Sequence, residues 1–272
     1  MRRFAISLLA FLATGTALPA LASGEAWESI QFQLYGERPT LSGERIIAID
    51  APYRTQNDAR THIAAQIIAP EGAELDKVTV VLDENPMPVS AVFDLDQQQR
   101  SFFFDLTMRI NGPTPMHVIA ETTDGRLFVS ETFVKTSGSG ACAAPPGTDI
   151  AEALATLGNM QIEVTGTMAP TQINQVDALL NRLNRVDVDI SHPSHSGMQM
   201  DQISLLFIPL RYVESVDIEL DGGGFVEMTG SISLSENPTI GLAVPQRTQS
   251  LDVTMTDTDG TVSHAHKDLA GF

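Results

Sequence analysis

The sequence holds one cysteine, Cys142, in 272 residues. A single cysteine cannot close a disulfide within its own chain, so no covalent staple supports the fold. Its thiol is inert in a core, paired with another molecule, or free to react. Positive charge is also scarce: 16 Lys and Arg stand against 34 Asp and Glu, for a net charge of −18. That balance excludes binding to nucleic acid or to anionic membrane by charge, because both would be repelled. A basic protein partner is compatible with it. The acids are scattered singly, so no paired-carboxylate site can be nominated, and no Ser-His-Asp grouping can either. Gly222-Gly223-Gly224 lies between two strand-like runs and reads as a turn, not as a phosphate-cradling loop before a helix. The expectation is a non-enzyme with no cofactor and no metal.

Long apolar runs are missing everywhere except at the start. Arg2 and Arg3 precede an uncharged, apolar or small stretch from Phe4 to Leu18, and Ala20-Leu21-Ala22 supplies a small-x-small cleavage pattern. This is the plan of a secretory signal over residues 1–22. It falls short of the roughly 20 apolar residues a membrane helix needs. Its removal takes away two positive charges and no acid, leaving −20 on a mature chain that begins near Ser23. The expected location is the periplasm, with no membrane attachment after cleavage.

The mature chain is mostly β in texture. Trp27–Tyr35 reads as a short amphipathic helix with Trp27, Ile30 and Leu34 on one face. After Gly36 come β-branched runs at 45–48, 62–68, 78–82, 89–95, 102–109, 116–121 and 127–135, separated by turns such as Asp124-Gly125. The second half repeats the texture at 160–165, 185–191, 212–220, 225–230, 240–244, 251–256 and 262–266. Both halves close on a hairpin with a Thr-Asp-Gly turn, at 123–125 and 258–260. Strands of this length at this spacing predict an all-β fold of two immunoglobulin-like sandwiches, over residues 23–135 and 159–272. Short helices are expected at the N-terminus and in the linker.

Between the halves, residues 136–158 change character. Thr136–Gly147 (TSGSGACAAPPG) has no charge and no large apolar side chain, so it predicts a flexible linker. Asp149–Leu157 predicts a short helix with an Asp N-cap. Cys142 sits in this linker among Gly138, Gly140, Ala141 and Ala143, which add little bulk. Seven residues from Lys135 reach roughly 23–25 Å when extended. The spacing therefore predicts a solvent-exposed thiol on a flexible arm that enters a partner's pocket. A thiol near its usual pKa of about 8.5 is only a few per cent ionised at neutral pH. No His or Arg flanks Cys142 in sequence, so partner enzymes are expected to activate and load it.

A second cluster is His192, His195, Met198 and Met200, whose imidazoles and thioethers could take Cu(I). Their irregular spacing matches no strict ligand pattern.

Several stretches resemble known families. GSGACAAPPG after an all-β domain resembles the cysteine arm of SoxY, the carrier subunit of a periplasmic thiosulfate-oxidizing system. VDVDISHPSHSGMQMD, SISLSENP and the closing VTMTDTDG hairpin resemble SoxZ, its partner subunit. The one-chain arrangement is similar to fused SoxYZ-like carriers associated with quinoprotein dehydrogenases. The resemblance implies immunoglobulin-like domains and a sulfur-containing group, a persulfide or S-thiosulfonate, held on Cys142. It also implies periplasmic redox enzymes as partners and a structural role for His192 to Met200. In the two-subunit system the arm is a free, glycine-flanked tail. Here Ala143 and Ala144 replace glycines and the chain runs on, so the arm must enter a partner as a loop. The alternatives are a non-catalytic binding or assembly factor for a periplasmic dehydrogenase, and a Cu(I) chaperone.

Overall fold

The structure, a computed structural model, describes residues 22–138, 140–167 and 183–269. The expected signal therefore lies outside the described residues, apart from Ala22. Among the described residues no helix is long and apolar enough to cross a membrane.

The chain opens with helix α1 (Ala22–Tyr35) and the strands β1 (Thr40–Ser42), β2 (Ile47–Asp50), β3 (Thr61–Ile68) and β4 (Leu75–Leu82). Strands β5 (Val89–Gln99), β6 (Ser101–Met108), β7 (Thr114–Thr122) and β8 (Leu127–Val134) complete the first half. A single 3-10 turn (Ala141–Ala143) and helix α2 (Ile150–Ala155) come next. The second half holds β9 (Met160–Thr167), β10 (Leu183–Ile190), β11 (Val213–Leu220) and β12 (Gly223–Thr229). It ends with β13 (Thr239–Pro245), β14 (Ser250–Asp257) and β15 (Val262–Asp268). The strands keep the apolar alternation of the sequence; β14, for example, buries Leu251, Val253 and Met255 and turns the residues between them outward.

The two halves do not stand apart as separate sandwiches. One sheet has the order β1-β8-β7-β4-β5-β12-β11-β14-β15 and the other β2-β3-β6-β13-β10-β9. Both cross from the first half to the second by antiparallel pairing. β5 meets β12 with Phe93 opposite Met228, and β6 meets β13 with Leu106 opposite Ile240. One hydrophobic cluster runs through both halves, from Ile63 and Phe104 to Val188 and Val253. At its centre Phe93 packs on Phe104 across the layers, ring centroids 5.0 Å apart. An ion pair from Arg185 to Asp105, at 2.7 Å, ties the junction on its outer side. The all-β sandwich expectation holds; the two units form one continuous double layer.

Helix α1 covers the outer face of the first half. Trp27 stacks on His117 at 3.8 Å, and Ile30 and Tyr35 pack against the buried Val81, Ile119 and Leu127. Leu34, expected on the same face, is exposed. At 3.6 residues per turn, the position that returns to Trp27's stripe after two turns is Tyr35 as much as Leu34. The larger Tyr35 takes it and donates its hydroxyl to Thr79 Oγ1 at 3.3 Å.

Candidate functional site

The segment after β8 leaves the sheet at Lys135 and is caught at once. Asp58 accepts the backbone N–H groups of Ser137 (3.1 Å) and Gly138 (2.8 Å) on its two carboxylate oxygens. Burial opposes the charge on Asp58, but hydrogen bonds from Thr55, Ser137 and Gly138 hold its carboxyl below the usual value. Gly140 then adopts φ 76°, which a side chain would strain, and donates its N–H to the Asn111 carbonyl at 2.8 Å. That left-handed residue turns the chain inward and starts the 3-10 turn that carries Cys142.

Cys142 is 0% exposed. The expectation of a presented, solvent-exposed thiol on a flexible arm is not met. The residues that hold the arm come from elsewhere in the chain. Asn111 Oδ1 accepts the Cys142 N–H at 3.1 Å. Ser196 Oγ donates to the Cys142 carbonyl. Gln199 Nε2 donates to the Ala144 carbonyl at 3.0 Å, and Glu236 Oε2 accepts the Gly147 N–H at 2.7 Å. Small side chains, read as a sign of freedom, are what let the backbone approach its partners closely. Ala141 is buried with Cys142, while Gly138 and Ala143 are exposed. Helix α2 forms as expected, with Asp149 Oδ1 accepting the N–H groups of Ala151 and Glu152.

Beneath the arm lies Arg109, a residue sequence reasoning missed because it is far from Cys142 along the chain. It is 2% exposed. Its Nη1 donates to the carbonyls of Ser194 (2.6 Å), Leu234 (2.8 Å) and Ile232 (3.3 Å). Burial pushes the Cys142 thiol up from its ordinary pKa, and the Arg109 charge pulls part of the way back. Burial likewise lowers Arg109 itself, against the pull of Cys142 and Glu236. The resting thiol is thus neutral at pH 7, beside the cation that would favour its ionisation.

The His192 to Met200 segment forms the far wall of this corner. His192 is fully buried, with Nδ1 accepting the Ser194 N–H at 2.9 Å and Nε2 set against Asp257 Oδ2 at 3.3 Å. Both nitrogens are engaged, so His192 supports the loop and offers no free ligand atom. Asp257 is itself held by Arg211 at 2.8 Å. His195 Nδ1 faces Gln199 Oε1 at 3.2 Å, the same Gln199 that grips the arm. Met200 is exposed and Met198 partly buried, and with His192 engaged at both nitrogens the four proposed copper ligands are not all free. Just beyond, Ile203, Leu205, Leu206 and Phe207 form a loop of exposed apolar residues that the sequence reading also passed over.

Fold and site define a continuous β-sandwich protein with its one thiol on the segment joining the halves. Residues 31–142 match the family model described as sulfur oxidation protein SoxY, and residues 173–268 match that of sulphur oxidation protein SoxZ. The chain belongs to these families as a SoxY domain and a SoxZ domain fused in one polypeptide, and immunoglobulin-like sandwiches are the fold of both. The SoxY match ends on Cys142 itself. No curated protein matches the chain. Among solved structures, the sulfur carrier protein SoxY from Chlorobium limicola f thiosulfatophilum is similar at 19% identity and a TM-score of 0.34, over 43% of this chain and 100% of that one. Two β-glucuronidase structures from Parabacteroides merdae align at 8% and 9% identity, each with a TM-score of 0.23. They cover 82% and 87% of this chain but only 24% and 25% of their own. Likenesses this distant carry nothing about activity.

Proposed function

We propose that the protein is a covalent carrier that holds a sulfur-containing group on the Cys142 thiol in the periplasm and passes it between redox enzymes. The observation that carries this reading is the position of Cys142. It is the chain's one cysteine, it ends the SoxY match, and it lies on an arm of small side chains held through hydrogen bonds to its backbone. Such contacts contribute about 1 kcal/mol each, so the arm can leave while the sandwich stays folded. The chemistry of loading falls to partners, because burial disfavours the thiolate that would act on its own. The fused arrangement, which resembles carriers associated with quinoprotein dehydrogenases, favours an alcohol-oxidizing system as the setting.

The test is the intact mass of protein purified from the periplasm, with and without reductant. The expected result is a reductant-sensitive gain of one or more sulfur atoms on Cys142, absent in Cys142→Ser. The unmodified mass under both conditions would overturn the carrier reading.

A second reading has its own observation. The exposed loop of Ile203, Leu205, Leu206 and Phe207 suits a protein contact, as a non-catalytic binding or assembly factor for a periplasmic dehydrogenase requires. On that reading Cys142→Ser keeps full function in cells; on the carrier reading it loses it.

A further inference from the structure

Arg109 poses a problem of charge. A guanidinium buried this deeply normally has a carboxylate partner, since an uncompensated buried charge costs several kcal/mol. Among the described residues Arg109 makes no ion pair, and its side-chain hydrogen bonds all run through Nη1 to three carbonyls. Among those residues Nε and Nη2, the rest of the fork, have no hydrogen-bond partner. The guanidinium borders a cleft of about 300 Å³ whose walls include Ala141 and Ala144, on either side of Cys142 along the arm, and Gln199. At ~30 Å³ per molecule in the liquid, that is room for about ten waters.

The charge of this cleft runs against the rest of the molecule. In a chain of net charge −18, it is bordered by two arginines and one acid. The second arginine, Arg60, spends its guanidinium on the carbonyls of Glu236 (2.8 Å) and Asn237 (2.7 Å), also without a carboxylate partner among the described residues. The acid, Glu236, already accepts Gly147 N–H from the arm. The same corner holds one more unfilled polar atom: His195 Nε2 is buried with no hydrogen-bond partner among the described residues, on a residue 5% exposed.

We propose that Arg109 and this cleft form an anion site that receives the oxyanion end of the group carried on Cys142, so that the arm docks more firmly when loaded than when empty. The proposal rests on the carrier reading and, of the persulfide and S-thiosulfonate that the family resemblance implies, selects the oxyanion joined to Cys142 through sulfur. A guanidinium fork matches two oxygens of a sulfonate and binds them side by side. A bare persulfide offers no such pair. Docking of the loaded arm would neutralise Arg109 and place the new sulfur–sulfur bond in the protein's interior, away from adventitious thiols.

The test uses the full chain. Tetrathionate converts the thiolate to Cys142–S–S–SO₃⁻, its central sulfur–sulfur bond breaking to release thiosulfate, and a neutral control carries Cys142–S–S–CH₃. The cleavage rate of each by a phosphine reductant is measured in native protein and divided by its rate in urea-unfolded protein. The expected result is protection of the oxyanion adduct at least tenfold greater than that of the methyl control. In Arg109→Met that excess is lost while the control is unchanged; Arg109→Lys, which keeps the charge without the fork, falls between. Equal protection of the two adducts in the wild type overturns the proposal, whether or not the variants fold. So does an Arg109→Met effect of the same size on both adducts, which would mark Arg109 as a structural support for the arm. Because the adduct is made by reagent, this outcome is independent of whether protein from the periplasm carries a load.

Discussion

His192 shows how one buried side chain ties this protein's stability to pH. Burial is the main cause that holds its pKa down to about 4 from 6.5, outweighing the opposing hydrogen bond to Asp257. The unfolded chain therefore takes up a proton as pH falls through 6.5, while the folded chain refuses it until about pH 4. The stabilisation from keeping His192 neutral is complete above pH 6.5 and drains away between 6.5 and 4, by about 3 kcal/mol in all. His195, whose pKa is also lowered chiefly by burial, acts in the same direction. Urea unfolding of the wild type should thus show a marked loss of stability between pH 7 and 4.5. In His192→Gln the loss over that interval should be about 2 kcal/mol smaller. An unchanged pH dependence in the variant would show that His192 titrates normally in the fold. The resemblance to SoxZ implied a structural part for this residue, and the engagement of both its nitrogens agrees.

At the scale of elements, the arm is the part whose motion matters. Its anchors are separable: Asn111 on the first half, Ser196 and Gln199 on the second. Each bond lost should shift the docked–released balance by about 1 kcal/mol, or about fivefold in released population. Native alkylation of Cys142 should therefore be slow in the wild type, several times faster in Ser196→Ala, and faster again in Ser196→Ala/Asn111→Ala. Urea midpoints should move little. If Cys142 alkylates only as fast as the whole protein unfolds, the arm has no open state of its own and the carrier reading fails. The sequence made this arm legible as a segment but misjudged its state. Its flanks named the thiol, its composition excluded a core of its own, and Asp149 announced α2. What holds it comes from Asn111, Ser196, Gln199 and Glu236, and no local pattern links those positions to Cys142. The same distance hid Arg109. A search limited to neighbours in sequence found no cation, while the fold supplies one from the end of β6.

For the whole molecule, the strands were readable from β-branched runs between turn residues, several of which, such as β10 and β14, alternate more and less buried residues along their length. Strand order was not, since β5–β12 and β6–β13 pairing depends on segments more than a hundred residues apart. That pairing makes the halves one cooperative body. Residues 23–148 and 149–272, expressed as two chains, should assemble one to one, because each alone would leave the shared cluster around Phe93, Leu106, Met228 and Ile240 uncovered. Light scattering should show a heterodimer on co-expression and aggregated or self-associated material for either chain alone. Two stable monomers that ignore each other would argue that the continuous core contributes little.

Two freestanding sandwiches would present eight sheet margins, each a row of unpaired backbone groups open to a neighbouring chain. Joined side by side, they leave four among the described residues: β1, β15, β2 and β9. Of these, β1 and β2 are only three and four residues long, and β15 carries His264, His266, Lys267 and Asp268 near its end. Short strands and charge at a margin both discourage strand addition by another molecule. The junction that unites the core thus also removes half of the surfaces through which such a protein could template its own aggregation.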